Sequence, residues 1–258
     1  MKTHILTRPF EVEAGWNSQY DKLATKFAER LGNKSREIAE VGCGSGRLTV
    51  RLMKLLGNSQ FVLVDRFADT RTGSYSQSYE VLVGNLEKAK LKRRVHVVIS
   101  DYLKWIRTQD DGAYDGVISC EFFPEITMRG MSRFIQECYR VLKSGGVTVN
   151  CFWSPTPRNS RQRLVIAADS DPTWTRTPPE EWFSPEPVLV ISELRKAGFK
   201  HVSKATFMSH LVLRGEAAKS ELKRWEVRPS IYERYRKSLD KGGLEFPDWI
   251  IISAEKYM

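Results

Sequence analysis

The stretch Ile38-Ala39-Glu40-Val41-Gly42-Cys43-Gly44-Ser45-Gly46 decides the reading of this chain. An apolar run enters a turn with glycines at three alternate positions. A helical pattern follows at once in Leu48, Leu52, Leu55 and Leu56. Glycine lets the backbone turn sharply and approach a ligand with no Cβ in the way. The crossing from a parallel strand into a helix is where open α/β sheets bind nucleotides. The spacing is not that of the pyrophosphate-reading G-x-G-x-x-G fingerprint. An acid, Glu40, precedes the first glycine, and a carboxylate there repels phosphate and suits a cationic ligand.

Outward from the turn, strands and helices alternate. Trp16, Tyr20, Leu23, Phe27 and Leu31 recur at spacings of three and four, which predicts an amphipathic helix over 11–31. Strands are expected at 37–41, 60–64, 95–99, 114–119 and 147–152, with helices near 76–89, 102–108 and 131–142 between them. Lys143-Ser144-Gly145-Gly146 is expected to make a tight helix-to-strand turn. Such alternation implies a doubly wound parallel sheet. After 153 the pattern changes. Residues 154–187 read as a loop-rich insertion carrying Trp174 and Trp182. A helix over 187–197, a strand over 201–213, one charged helical segment over 216–239 and a final strand over 249–254 complete the chain.

Acids close successive strands. Asp65 lies roughly 20 residues past the glycine turn, the offset of a ribose-binding acid, and its carboxylate can accept from two hydroxyls. Asp101 closes the third strand and is also placed to cap a helix starting at Tyr102. The fourth strand runs into Cys120-Glu121-Phe122-Phe123.

This ordered set resembles the class I S-adenosylmethionine-dependent methyltransferases. The resemblance covers 38–152 well and 11–31 loosely. It implies one domain, with a mainly parallel seven-stranded sheet and helices on both faces. In it, 11–31 is a lid helix, 37–152 the cofactor core, and 154–187 and 216–241 are insertions on the substrate side. It implies S-adenosylmethionine as cofactor, S-adenosylhomocysteine as product and no metal. Glu40, Gly42, Cys43, Gly44 and Gly46 would cradle the amino-acid end of the cofactor. Asp65 and the adjacent Arg66 would sit at the ribose, and Asp101 and the Tyr102 amide at the adenine. Trp16 and Tyr20 on the lid and Cys120 at the fourth strand would complete the cofactor set.

Glu121 is the candidate catalytic residue, able to orient an amine or take a proton. The Asn/Asp-Pro-Pro-Tyr motif of nucleobase amine methyltransferases is missing here. Protein arginine methyltransferases carry two glutamates after this strand, but Glu121 and Glu125 stand much closer together. A small molecule or a protein side chain is therefore the expected acceptor ahead of RNA. Trp16, Tyr20, Phe122, Phe123, Trp153, Trp174 and Trp182 are candidates to line its pocket. The insertion is expected to cover the acceptor pocket rather than the cofactor: a Gly-Ser linker in place of 158–183 should leave S-adenosylhomocysteine affinity little changed but abolish transfer.

The formal charge of +10 over 258 residues permits an anionic partner. The charges are scattered, though, and a charged helix face over 228–237 reads as a cover over the pocket rather than an RNA surface. A non-catalytic protein on the same fold is the remaining alternative. Cys43, Cys120, Cys138 and Cys151 form no C-x-x-C pair, and the four histidines show no metal spacing. Free thiols without a signal peptide or a membrane-length apolar run imply a cytoplasmic protein. Composition leaves the oligomeric state open.

Overall fold

The computed structural model describes residues 10–67, 79–170, 185–225 and 227–257. The chain runs α1 (Phe10–Leu31), β1 (Glu37–Val41), α2 (Arg47–Leu55), β2 (Gln60–Asp65), α3 (Tyr79–Lys88), β3 (Val95–Ile99), α4 (Tyr102–Ile106), β4 (Tyr114–Cys120), α5 (Met128–Val141), β5 (Leu142–Trp153) and α6 (Ser160–Ser170). It continues with α7 (Pro187–Lys196), β6 (Lys200–Phe207), β7 (Val212–Leu213), α8 (Gly215–Arg224), α9 (Pro229–Gly242), β8 (Leu244–Glu245) and β9 (Trp249–Glu255). Trp174 and Trp182 lie outside the described residues, as does the expected helix start at 76–78.

Seven strands form one sheet in the order β3-β2-β1-β4-β5-β9-β6. All pair in parallel except β9, which runs antiparallel to both β5 and β6. The doubly wound, mainly parallel sheet expected from the sequence is present. Strand order reverses between β1 and β4, so a crevice opens at their carboxyl ends, where ligands bind in open α/β sheets.

Residues along β1 alternate between two cores. Ile38 packs with Leu23, Phe27, Leu48, Leu52 and Leu82 under α1, α2 and α3. Ala39 and Val41 pack with Trp105, Phe134, Ile135 and Leu194 under α4, α5 and α7. Glu40, by the period of two, faces the α1–α2 side. The apolar stripe of α1 is buried: Leu23 and Phe27 are wholly covered and Leu31 nearly so.

Four expectations need correction. The region 154–187 contains α6 and is not all loop. Asn159 starts that helix, its side-chain oxygen accepting from the amides of Arg161 (2.9 Å) and Gln162 (3.0 Å). The single charged segment over 216–239 is two helices, because Pro229 has no N–H to continue α8 and is favoured in the first turn of α9. The strand expected over 201–213 is β6 plus a separate two-residue hairpin strand, β7, paired with β8. Lys143–Gly146 is an irregularity within β5. Tyr114 pairs with Leu142 and Gly116 with Val147, so three extra residues are held on the β5 side. Gly145 supplies the positive φ (74°), and its amide donates to Lys256 O at 2.8 Å. In addition α5 begins three residues earlier than expected, because Thr127 caps it through the Gly130 amide at 2.9 Å.

Candidate active site

The glycine turn leaves β1 and is tied to β2. Gly42 N donates to Val64 O at 2.8 Å, and Gly46 N closes the turn on Cys43 O at 2.9 Å. Gly42, Gly44 and Gly46 have φ of 73°, 50° and 74°. Any other L-residue would be strained there. A Cβ on Gly42 would also lie 2.8 Å from Phe122 Cδ2, and one on Gly46 would lie 2.5 Å from Leu82 Cδ1. The turn is therefore a cradle that admits no side chains at two of its glycines.

Asp65, at the end of β2, bonds the turn directly. Its Oδ2 accepts from Gly44 N at 2.8 Å and its Oδ1 from Phe67 N at 2.7 Å. Each oxygen keeps a further lone pair. The carbonyl of Asp65 takes the Ser100 amide at 3.0 Å, which sets Asp101 beside it. Asp101 caps α4, its Oδ1 accepting from Leu103 N (2.9 Å) and Lys104 N (3.1 Å). The amide of Tyr102 precedes that pair, while its ring turns into the core against Phe122 at 5.0 Å and Phe134 at 5.9 Å. Arg66 is exposed.

Glu40 is buried beneath the turn and accepts from Thr49 Oγ1 at 2.6 Å. Burial, opposed by the Thr49 hydrogen bond and assisted by the Asp65 charge, raises its pKa from an ordinary 4.5 to about 8. Cys43 in the turn is also buried, which pushes its thiol well above the usual range, with Glu40 and Asp65 adding to the effect. Cys120 ends β4 opposite Cys151 of β5. A hydrogen bond with Cys151 pulls the Cys120 thiol down, but burial and the Glu121 and Glu40 carboxylates outweigh it, and its pKa is raised. Glu121 follows in the left-handed region (φ 56°), its amide donating to Cys151 O at 2.8 Å. A non-glycine residue held there costs about 1–2 kcal/mol, and such strain gathers at functional positions.

The carboxyl end of β5 and the amino end of the antiparallel β9 carry an aromatic cluster. Trp153 and Trp249 are register partners with ring centroids 5.9 Å apart. Trp16 of α1 stacks on Trp153 at 6.0 Å, and Phe246 meets the Trp16 edge at 4.7 Å. Trp225 and Tyr20 extend the group, and Tyr20 also lies under the Arg47 guanidinium, beside the glycine turn. Sequence reasoning named Trp16, Tyr20 and Trp153 but missed Trp225, Phe246 and Trp249. Trp225 and Phe246 fall just after α8 and β8 and Trp249 starts β9, where no periodicity marks a face. Phe123 proves to be core, fully covered under α5, whereas Phe122 covers Gly42.

Also missed was a buried polar staple. Glu245 and Asp248 are nearly inaccessible. Asp248 pairs with Arg158 Nε at 2.6 Å and takes Gln162 Nε2 at 3.2 Å. Glu245 pairs with Arg158 at 3.0 Å and Arg161 at 2.6 Å. The network joins α6 and the residues that lead into it to β8 and to the segment before β9.

This geometry defines the class. Residues 38–146 match the family described as "Methyltransferase domain". Residues 38–146, less than half of the chain, thus carry an S-adenosylmethionine-dependent methyltransferase domain, an enzyme domain of the methyl-transferring group. No curated protein matches the sequence significantly. Solved structures resemble the whole fold. A SAM-dependent methyltransferase from Archaeoglobus fulgidus aligns with TM-score 0.60 at 19% identity, over 93% of this chain and 94% of that one. The [4+2]-cyclase SpnF aligns with TM-score 0.62 at 19% identity, over 92% and 81%. Phosphoethanolamine N-methyltransferase 2 from Haemonchus contortus aligns with TM-score 0.58 at 16% identity, over 92% and 53%. At these identities the likeness is one of fold. A relative named a cyclase shows that the fold alone does not assign a reaction. No helix among the described residues is long and apolar enough to cross a membrane.

Proposed function

We propose that this protein transfers a methyl group from S-adenosylmethionine to a small molecule. The observation that carries the reading is the cover over the crevice. Trp16 on α1 and Trp225 after α8 converge with Phe246 on Trp153 and Trp249 at the strand ends, while α6 is stapled alongside. A site roofed by its own chain suits a compact acceptor and leaves little room for a folded RNA. The neighbour named phosphoethanolamine N-methyltransferase is in keeping with that class of acceptor.

The cradle fits the cofactor. The side-chain-free turn would receive its amino-acid end, with Glu40 beneath as the nearby acid and Cys43 in the turn. Asp65 has one free lone pair on each oxygen for the ribose hydroxyls, with Arg66 adjacent. Asp101 and the Tyr102 amide would read the adenine edge. Tyr20, next to Trp16, would close over the turn from α1, and Cys120 would lie below the methyl group. The bound cofactor supplies a methyl carbon already activated by the positive sulfonium, whose sulfur keeps the bonding pair on transfer. The protein's part is alignment and exclusion of water. Glu121, at the end of β4, would receive the proton of an acceptor that arrives protonated.

Calorimetry with S-adenosylhomocysteine, followed by turnover of labelled cofactor on a fractionated cell extract, tests this reading. We expect one site per chain and a labelled product that resists both RNase and protease. Label in an RNase-sensitive product would restore the RNA reading. Binding without turnover would favour a non-catalytic or non-methylating role.

A further inference from the structure

Three buried polar atoms in the aromatic cluster have no hydrogen-bond partner among the described residues: Gln19 Oε1, Trp153 Nε1 and Trp249 Nε1. A buried donor or acceptor left unmade is costly and uncommon in native proteins. Gln19 is 5% exposed and Trp249 1%. Ring-edge contacts such as that between Trp153 and Trp249 at 5.9 Å are second-order and do not replace a hydrogen bond.

The three atoms belong to one neighbourhood. Gln19 lies on α1 between Trp16 and Tyr20, and these meet Trp153 and Trp249. Its amide nitrogen is spent on Ser209 O at 2.6 Å, and the Ser209 amide in turn faces Asp248, next to Trp249. Trp153 is only partly buried, so the cluster is open on that flank.

Resting on the methyltransferase reading above, we propose that this cluster is the acceptor-binding surface and that its ligand is a flat, neutral, conjugated molecule carrying carbonyl or ether oxygens and a free hydroxyl. The aromatic rings offer faces for a planar ligand. The two indole N–H groups call for acceptor oxygens, and Gln19 Oε1 calls for a hydroxyl donor. Charge argues against an ionic ligand. The adjacent carboxylates of Glu245 and Asp248 are matched by the guanidiniums of Arg158 and Arg161, leaving no surplus charge in the staple. An ammonium ligand would also face two N–H donors rather than acceptors.

The test uses the full chain saturated with S-adenosylhomocysteine. The probes are a trihydroxyflavone, its fully O-methylated form, ethanolamine and glycine. Binding is followed by calorimetry and by quenching of tryptophan fluorescence. We expect the trihydroxyflavone to bind at one site and quench, and the methylated form to bind at least tenfold more weakly. The two amines should not bind. Trp153→Phe and Trp249→Phe, which remove one N–H each, should weaken the flavone about tenfold while leaving S-adenosylhomocysteine affinity within twofold. The comparison of the two flavones needs no variant, so it stands if a tryptophan substitution fails to fold. Tight S-adenosylhomocysteine binding with no flavone binding, with preference for an amine, or with equal affinity for both flavones overturns the proposal. Failure to bind S-adenosylhomocysteine overturns the methyltransferase reading itself, and this one with it.

Discussion

Replacing Glu40 with Gln should make the apo protein more stable at neutral pH and change how its stability depends on pH. Glu40 is fully buried under the glycine turn, with Thr49 Oγ1 donating to it at 2.6 Å. Gln keeps an acceptor for Thr49 and removes the ionisable group. With its pKa raised from 4.5 to about 8, the ionised form carries a penalty of about 5 kcal/mol at 1.36 kcal/mol per pKa unit. The folded protein therefore holds the proton over a range in which the unfolded chain releases it. Stability from this group is fully present below about pH 4.5 and is lost as pH rises to about 8. Between pH 5.5 and 7.5 wild type should lose about 2–3 kcal/mol relative to Glu40→Gln, close to the ceiling for one proton over two pH units. Groups common to both proteins cancel in the difference. Urea unfolding of both proteins at the two pH values measures it. A difference that stays constant within about 0.5 kcal/mol would falsify a raised Glu40 pKa. The same carboxyl should couple to the cofactor: a cationic ligand favours its ionised form, so binding at pH 7 should release a proton. S-adenosylmethionine calorimetry in phosphate and in Tris should then give different enthalpies for wild type, and the same enthalpy for Glu40→Gln once other proton exchanges are subtracted.

Asp65→Ala should weaken S-adenosylhomocysteine by about 1.5–3 kcal/mol, the scale of hydrogen bonds to a charged group. Because Asp65 also holds the Gly44 and Phe67 amides, hydrogen exchange in the turn should rise in the same variant; unchanged exchange would dissociate the two roles. Gly42→Ala combines a φ of 73° with a 2.8 Å approach to Phe122, so a thermal melt should show a loss of at least about 1–2 kcal/mol, with cofactor binding abolished in calorimetry. Asp248→Ala removes one acceptor from Arg158 and one from Gln162 and should cost about 2–4 kcal/mol in urea unfolding, since Glu245 and Phe246 O remain to them. Replacing 158–183 by a Gly-Ser linker should not give the separable variant expected from the sequence. It removes the buried Gln162, Val165 and Ala168 and strands Glu245 and Asp248, so circular dichroism should show a large fall in Tm; a native-like melt would return the insertion to the surface.

Much of this architecture was legible because its signals are local. The glycine turn needs glycine at its positive φ angles, and that requirement is written into residues 42–46. The parallel strands are buried on both faces and so read as continuous apolar runs such as Phe61 to Val64. Asp101 was legible as the cap of α4, since its side chain needs only the amides two and three residues on. What escaped was non-local. The start of α6 rests on Asn159, a single residue in a stretch whose prolines and arginines imitate a loop. The arginines that looked like scattered surface charge, Arg158 and Arg161, find their carboxylates more than eighty residues away.

That separation bears on where specificity resides. The proposed cofactor side is built from β1, β2 and β3 and the turns that follow them, each fixed by its own short sequence. The proposed acceptor side needs α1, α6, α8 and β9 to converge, through rings such as Trp16 on Trp153 and ion pairs such as Arg158 on Asp248. A substitution in the first set disturbs one contact. A substitution in the second disturbs a junction of several elements, and its effects on folding and on acceptor choice are coupled. On the proposed function, acceptor specificity is therefore a property of the convergence. Only paired measurements, stability beside acceptor affinity on each variant, separate the residue that touches a ligand from the residue that holds the wall in place.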